Sequence, residues 1–137
     1  MKRYRLIDHT ADTGLVAYGS SLPEAFANAA YGLFSVMADL RNVKEVESRV
    51  VEVKAPGLEE LLFEWLNRLI YLFDVETLLF KQCDITQFDG QGLLKAVCHG
   101  ERYDSKRHRI KIGVKSATYH TLTVDPVKNR VRVILDI

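Results

Sequence analysis

Two stretches of helical period, each opened by its own start signal, sit in a chain whose other apolar stretches alternate with period two. That combination constrains the fold more than any other feature. Ser21 is an N-cap residue and Glu24, three positions on, completes a capping box. Pro23 falls in the first turn, where its missing N–H is not needed. Leu22, Ala25, Phe26, Ala29, Leu33, Phe34 and Met37 then recur at helical spacing, which predicts a helix from about Leu22 to about Ala38. Pro56-Gly57 opens the second stretch. There Leu58, Leu61, Leu62, Trp65, Leu66, Leu69 and Phe73 form an apolar stripe, and Glu59, Glu60, Glu64 and Arg68 form the wet face.

The remaining segments read as strands. Tyr4 to Ile7, Leu15 to Tyr18, Val43 to Ala55, Leu78 to Phe88, Leu93 to Glu101, Arg109 to Tyr119 and Val131 to Ile137 alternate or are β-rich. Asp89-Gly90-Gln91-Gly92 marks a hairpin turn, and Asp125 to Asn129 marks another. Helices embedded among antiparallel strands predict an α+β two-layer sandwich. Its two amphipathic helices pack on a mixed, largely antiparallel sheet built from strand–helix–strand–strand units. The 137 residues fit one domain over 1–137 and suffice for a core without disulfides or a structural metal.

Composition excludes some classes of function. The formal charge of +1 gives no argument for a nucleic-acid binder, so any such role must rest on a local patch. No apolar run reaches the roughly 20 residues a spanning helix needs. The N-terminal Met1-Lys2-Arg3-Tyr4-Arg5 leads into Asp8 and His9 rather than the apolar core of a signal peptide, so a cytoplasmic location is expected. The two cysteines do not make a disulfide scaffold. With Gly90-Gln91 as a two-residue loop, Cys83 and Cys98 fall opposite each other across a strand pair. They are there as small apolar residues, or with a redox or metal role.

Three places could carry chemistry. The Asp8-His9-Thr10-Ala11-Asp12 loop gathers two carboxylates, an imidazole and a hydroxyl. Its oxygens suit hard cations such as Ca²⁺ or Mg²⁺, or they simply tie down the loop backbone. The chain end, Asp136-Ile137, offers a side-chain and a terminal carboxylate within reach of one cation. Alternation sets Asp136 opposite the core-facing Leu135 and Ile137. Between Glu101 and Lys115 six cations stand against two anions. Strand alternation would set Arg107, Arg109, Lys111 and Lys115 on one face, opposite Ile110, Ile112 and Val114. Such a face meets phosphates or an acidic partner, or is only solvated. No Gly-x-Ser-x-Gly, phosphate loop, Cys-x-x-Cys or His-Glu-x-x-His is present, which argues against a standalone catalyst.

Taken together these pieces resemble the archease family. The resemblance is carried by the Asp8 to Asp12 loop, the Leu-Pro-Glu-Ala-Phe helix start at Leu22 to Phe26, and Leu61 to Leu66. Gly100-Glu101, Val114 to His120 and the terminal Ile134-Leu135-Asp136-Ile137 carry it further. Ser116 stands where the family pattern has Ala. The resemblance covers essentially the whole chain. It implies an accessory protein, not an enzyme, that activates the GTP-dependent RNA ligase of tRNA splicing by promoting guanylylation of the ligase histidine and multiple turnover. It also implies a divalent-cation site, with Ca²⁺ as the expected ion, held by Asp12, Asp136 and the carboxylate of Ile137. Asp8 and His9 would support these ligands. The ligase is the expected partner, RNA contact is indirect, and no membrane is involved. Two other readings compete: an adaptor or chaperone for a tRNA methyltransferase, resting on the basic face, and a metal-dependent hydrolase using Asp8, Asp12 and His9.

Overall fold

The computed structural model describes residues 2–8 and 12–137. In chain order the elements are β1 (Tyr4–Asp8), β2 (Asp12–Tyr18), α1 (Leu22–Met37), a 3-10 turn (Leu40–Asn42), β3 (Glu47–Lys54), α2 (Leu58–Glu76), β4 (Leu78–Phe88), β5 (Leu93–Arg102), β6 (Ser116–Asp125) and β7 (Arg130–Asp136). The α+β class stands, with both helices packed on antiparallel strands. The strands divide into two sheets, ordered β1-β2-β7-β6 and β3-β5-β4, and every described pairing is antiparallel.

Local chemistry explains both helices. The Ser21 hydroxyl accepts the Glu24 N–H at 3.2 Å, and the Glu24 carboxylate accepts the Ser20 N–H at 2.9 Å, so the reciprocal half of the capping box reaches one residue further back. The second helix runs to Glu76, beyond the expected Phe73. It stops because Thr77 adopts a left-handed conformation, φ 58°, and its N–H turns back to Leu72 and Phe73. Arg102 donates to the Glu76 carbonyl at 2.7 Å, satisfying a helix-end acceptor from the neighbouring sheet.

The apolar faces meet in one core that includes Leu15, Phe26, Phe34, Trp65, Leu66, Phe80, Leu94, Val133 and Leu135. Within it the Trp65 indole donates to the Phe26 carbonyl at 2.9 Å and ties α2 to α1. Phe34 meets Phe80 edge-on at 5.6 Å, joining α1 to β4. Gly100 lies where β5 passes close to β4, and a Cβ there would run into the Leu79 carbonyl.

The expected strand from Arg109 to Tyr119 is not formed, since β6 begins at Ser116. The backbone of 109–112 is committed elsewhere. Asp39 N–H donates to the Arg109 carbonyl at 3.0 Å, and Lys111 N–H donates to the Met37 carbonyl at 2.8 Å. Ile110 makes a lone bridge to Ala38, so this segment caps the end of α1 instead of joining a sheet. Alternation of Ile110, Ile112 and Val114 imitated a strand, but Ile112 is exposed.

Candidate functional site

One end of the four-stranded sheet brings together residues far apart in sequence. In the β2–β7 register Asp12 is directly opposite Asp136, and in the β6–β7 register Ser116 is opposite Asp136 from the other side. Directly opposed residues share a face of the sheet, with Cβ atoms about 4.5–5.5 Å apart. The adjacent opposed pair, Leu135 and Ala117, is buried in the core. Asp12, Asp136 and Ser116 therefore share the other face, and both carboxylates are half-buried. Lys115 N–H donates to the Asp136 carbonyl at 2.7 Å, which brings its backbone to the same place.

The site is anchored from behind by α2. The Asn67 side-chain amide donates to the Ala117 carbonyl at 3.2 Å and accepts the Ala117 N–H at 2.9 Å. It thereby acts as a strand partner for the outer edge of β6. Thr118 donates to the Ile134 carbonyl at 2.9 Å and closes the other edge. Asn67 was not singled out in the sequence. A polar residue interrupting the apolar flank of α2 was the available signal.

The remaining expected site residues fall differently. Asp8 is the last residue of β1, with its backbone opposite Thr13. The Asp8 side chain and all of His9 lie outside the described residues. Ile137 follows the last strand residue and is 37% exposed, so it is not the core-facing position that alternation suggests. Among the described residues no group of three or more His, Cys, Asp or Glu side chains is gathered to hold a metal. Among the described residues the side chains opposed here that suit a hard cation are Asp12 and Asp136, with Ile137 next in sequence.

The four basic residues Arg107, Arg109, Lys111 and Lys115 do not line a strand face, because their segment is not a strand. All four are exposed, but Arg107 is turned to carboxylates, reaching Glu101 at 2.8 Å and Asp104 at 3.5 Å. Glu101 itself is buried and also meets His108 Nε2 at 2.5 Å. His108 Nδ1 accepts the Asp104 N–H at 2.8 Å, which fixes the ring with its proton on Nε2. Burial pushes the Glu101 carboxyl up, but hydrogen bonds from Arg107, His108 and the Lys44 backbone outweigh this and hold it below its ordinary range.

Cys83 and Cys98 are opposed across β4 and β5, as expected, although the turn is not the expected two-residue loop. Residues 89–92 form the loop, with Gly90 at φ 75° and the Asp89 carboxylate accepting three successive N–H groups. An irregularity between Ile85 and Gln87 shifts the register back by one, which restores the cysteine pairing. Both thiols are free. The hydrogen bond with Cys98, then burial, push the Cys83 thiol well above its ordinary range.

The model of the archease protein family matches residues 4–137. The chain is 36% identical to protein archease of Methanosarcina acetivorans, over 99% of this chain and 97% of that one. It is 42% identical to protein archease of Thermococcus gammatolerans, over 91% and 89% respectively. A solution structure of Methanobacterium thermoautotrophicum protein 1598 superposes with a TM-score of 0.78 at 32% identity, covering 100% of both chains.

Proposed function

Because this chain belongs to the archease family, we propose that it is a non-catalytic activator of the GTP-dependent RNA ligase of tRNA splicing. In this reading it promotes guanylylation of the ligase histidine and repeated turnover, and a divalent cation at the sheet end is part of how it acts. The observation that carries the reading is the register that sets Asp12 against Asp136. Two carboxylates directly opposed on one face repel each other, and a cation between them would relieve that repulsion.

Asp12 and Asp136 would hold that ion, with the carboxylate of Ile137 as the third ligand and Asp8 and His9 supporting them. Three hard oxygen donors favour Ca²⁺ over softer metals. A bound cation would supply positive charge and open coordination positions toward the partner. The chain's own residues would orient it: Asn67 fixes the start of β6, and the Lys115 N–H fixes the backbone of Asp136. A cytoplasmic location follows from the same role, and no helix among the described residues is long and apolar enough to cross a membrane. An adaptor for a tRNA methyltransferase would rest on exposed cations and apolar surface instead, and the opposed Asp12 and Asp136 are what favour ligase activation over it.

The test is multiple-turnover ligation by the cognate ligase with GTP and Mn²⁺, with and without a substoichiometric amount of this protein. The expected result is a reaction that stalls without it and continues with it, and that again stalls with Asp12→Ala or Asp136→Ala. Full activation by both folded variants would overturn the role of the cation site, and no effect of the native protein would overturn ligase activation.

A further inference from the structure

The surface carries two kinds of cleft. The one between α1 and β4, about 550 Å³, is lined by both signs of charge, with Arg3 and Lys81 set against Glu24 and Asp84. It offers no preference for a charged ligand. A second, of about 440 Å³, is bounded by Arg41, Asn42, Lys44, Lys106 and Arg107. Four of its five lining residues are cationic and, among the described residues, none is acidic.

Three carboxylates adjoin the arginines of this second cleft without lining it. Asp39 grips the Arg41 guanidinium through both oxygens, at 3.0 Å to Nε and 2.6 Å to Nη2. Glu101 and Asp104 hold Arg107 at 2.8 and 3.5 Å. A guanidinium carries five N–H donors, so each arginine is oriented by its partner and keeps donors for a second anion. Lys44 and Lys106 are exposed and, among the described residues, neither has a carboxylate within ion-pair distance.

The two walls come from distant parts of the chain and are joined by one buried group. Glu101 accepts the backbone N–H of Lys44 while also holding Arg107 and His108. Arg107 further reaches the Asn42 carbonyl at 3.5 Å. Like charges brought this close repel, and the buried Glu101 carboxylate, bonded to Arg107 and to the Lys44 backbone, offsets part of that repulsion. The opening itself is left positive.

We propose that this pocket binds a phosphate of the sugar–phosphate backbone of a nucleic-acid strand. Its lining has no aromatic ring to stack a base, and Asn42 is its only uncharged side chain. It therefore recognises phosphate charge rather than sequence. The exposed Arg109 and Lys111 follow Arg107 in the chain, and Lys111 lies near Asp39, the partner of Arg41, so positive charge extends past the pocket, as a strand with many phosphates requires and a single small anion does not. The site is separate from the cation site and requires nothing of the ligase, so its test stands whether or not ligase activation does.

The experiment is fluorescence anisotropy of a short labelled single-stranded RNA titrated with the full chain across a range of salt. The native protein should bind with an affinity that falls steeply with salt. Lys44→Ala with Lys106→Ala should weaken binding about tenfold at low salt and flatten the log–log salt slope by about 1.4, two cations at about 0.7 each. Lys44→Arg with Lys106→Arg should restore both. Lys54→Ala, an exposed lysine on β3 paired with Glu52, should change neither. Equal affinity and slope for the native protein and the double alanine variant would overturn the proposal. Saturable binding of inorganic phosphate that the double alanine variant loses, together with no binding of the RNA by the native protein at low salt, would overturn the strand assignment in favour of a free phosphate ion.

Discussion

Glu101 and His108 form a buried pair, 2.5 Å between carboxylate and Nε2, seven residues apart on opposite sides of a surface turn. With Arg107 and the Lys44 N–H they hold the irregular 103–110 segment against the sheet. A carboxyl held below its usual range in the folded state binds its proton more readily when unfolded. The stability it contributes is present above the ordinary glutamate value of 4.5 and is lost as pH falls through the lower folded value. Chemical denaturation at stepped pH should therefore show native stability declining below about pH 4.5, with Glu101→Gln flattening that decline. At neutral pH the substitution should cost on the order of 3 kcal/mol, because His108 and Arg107 lose their charged partner. A variant with native stability at neutral pH would contradict this account.

Trp65 is fully buried and its indole N–H is the hydrogen-bond partner of the Phe26 carbonyl on the other helix. Trp65→Phe keeps most of the apolar contact and removes the donor, and should cost about 1–3 kcal/mol. Trp65→Ala adds a cavity between the helices and should cost about 3–5 kcal/mol. Urea unfolding followed by circular dichroism measures both, and native stability in Trp65→Phe would mean that the hydrogen bond contributes nothing.

The paired thiols Cys83 and Cys98 should be slow to react in the native state. A thiol pushed well above its ordinary range is protonated near neutral pH, and Cys98 is wholly buried. A chromogenic disulfide reagent at pH 7.5 should label native protein at least tenfold more slowly than denaturant-unfolded protein. Rapid labelling of both thiols without denaturant would show that the β4–β5 hairpin opens readily.

Much of this architecture was legible in local pattern. The capping residues and apolar spacing located both helices to within a few residues, because those signals act between near neighbours. The cysteine pairing was reached through a turn of the wrong length, and a compensating irregularity near Thr86 made the register agree. The 103–115 segment was not legible. Ile110, Ile112 and Val114 alternate like a strand, and only the end of α1, whose Met37 carbonyl takes the Lys111 N–H, decides otherwise. The Glu101–His108 pair was missed for the same reason, since nothing in the spacing of two polar residues indicates that both are buried. The opposition of Asp12 and Asp136 was expected from resemblance, not from pattern, because strand order is a tertiary property.

That opposition makes a prediction that needs no partner protein. Without a cation the two carboxylates repel across the β2–β7 pair, so removing the Asp136 carboxylate should leave the fold as stable as before or slightly more so. With a bound cation the native chain gains stability by mass action, about 2.7 kcal/mol at a hundredfold excess over the dissociation constant. Thermal unfolding of Asp12→Asn and Asp136→Asn in a chelator sets each variant's own reference midpoint, with Asp136→Asn at or slightly above the native one. Added Ca²⁺ should raise the native midpoint by on the order of 8 °C and leave both variants where they were. A C-terminal extension, which converts the Ile137 carboxylate to an amide, should reduce the native shift without abolishing it. An equal rise in the native protein and both variants would place the cation elsewhere on the molecule.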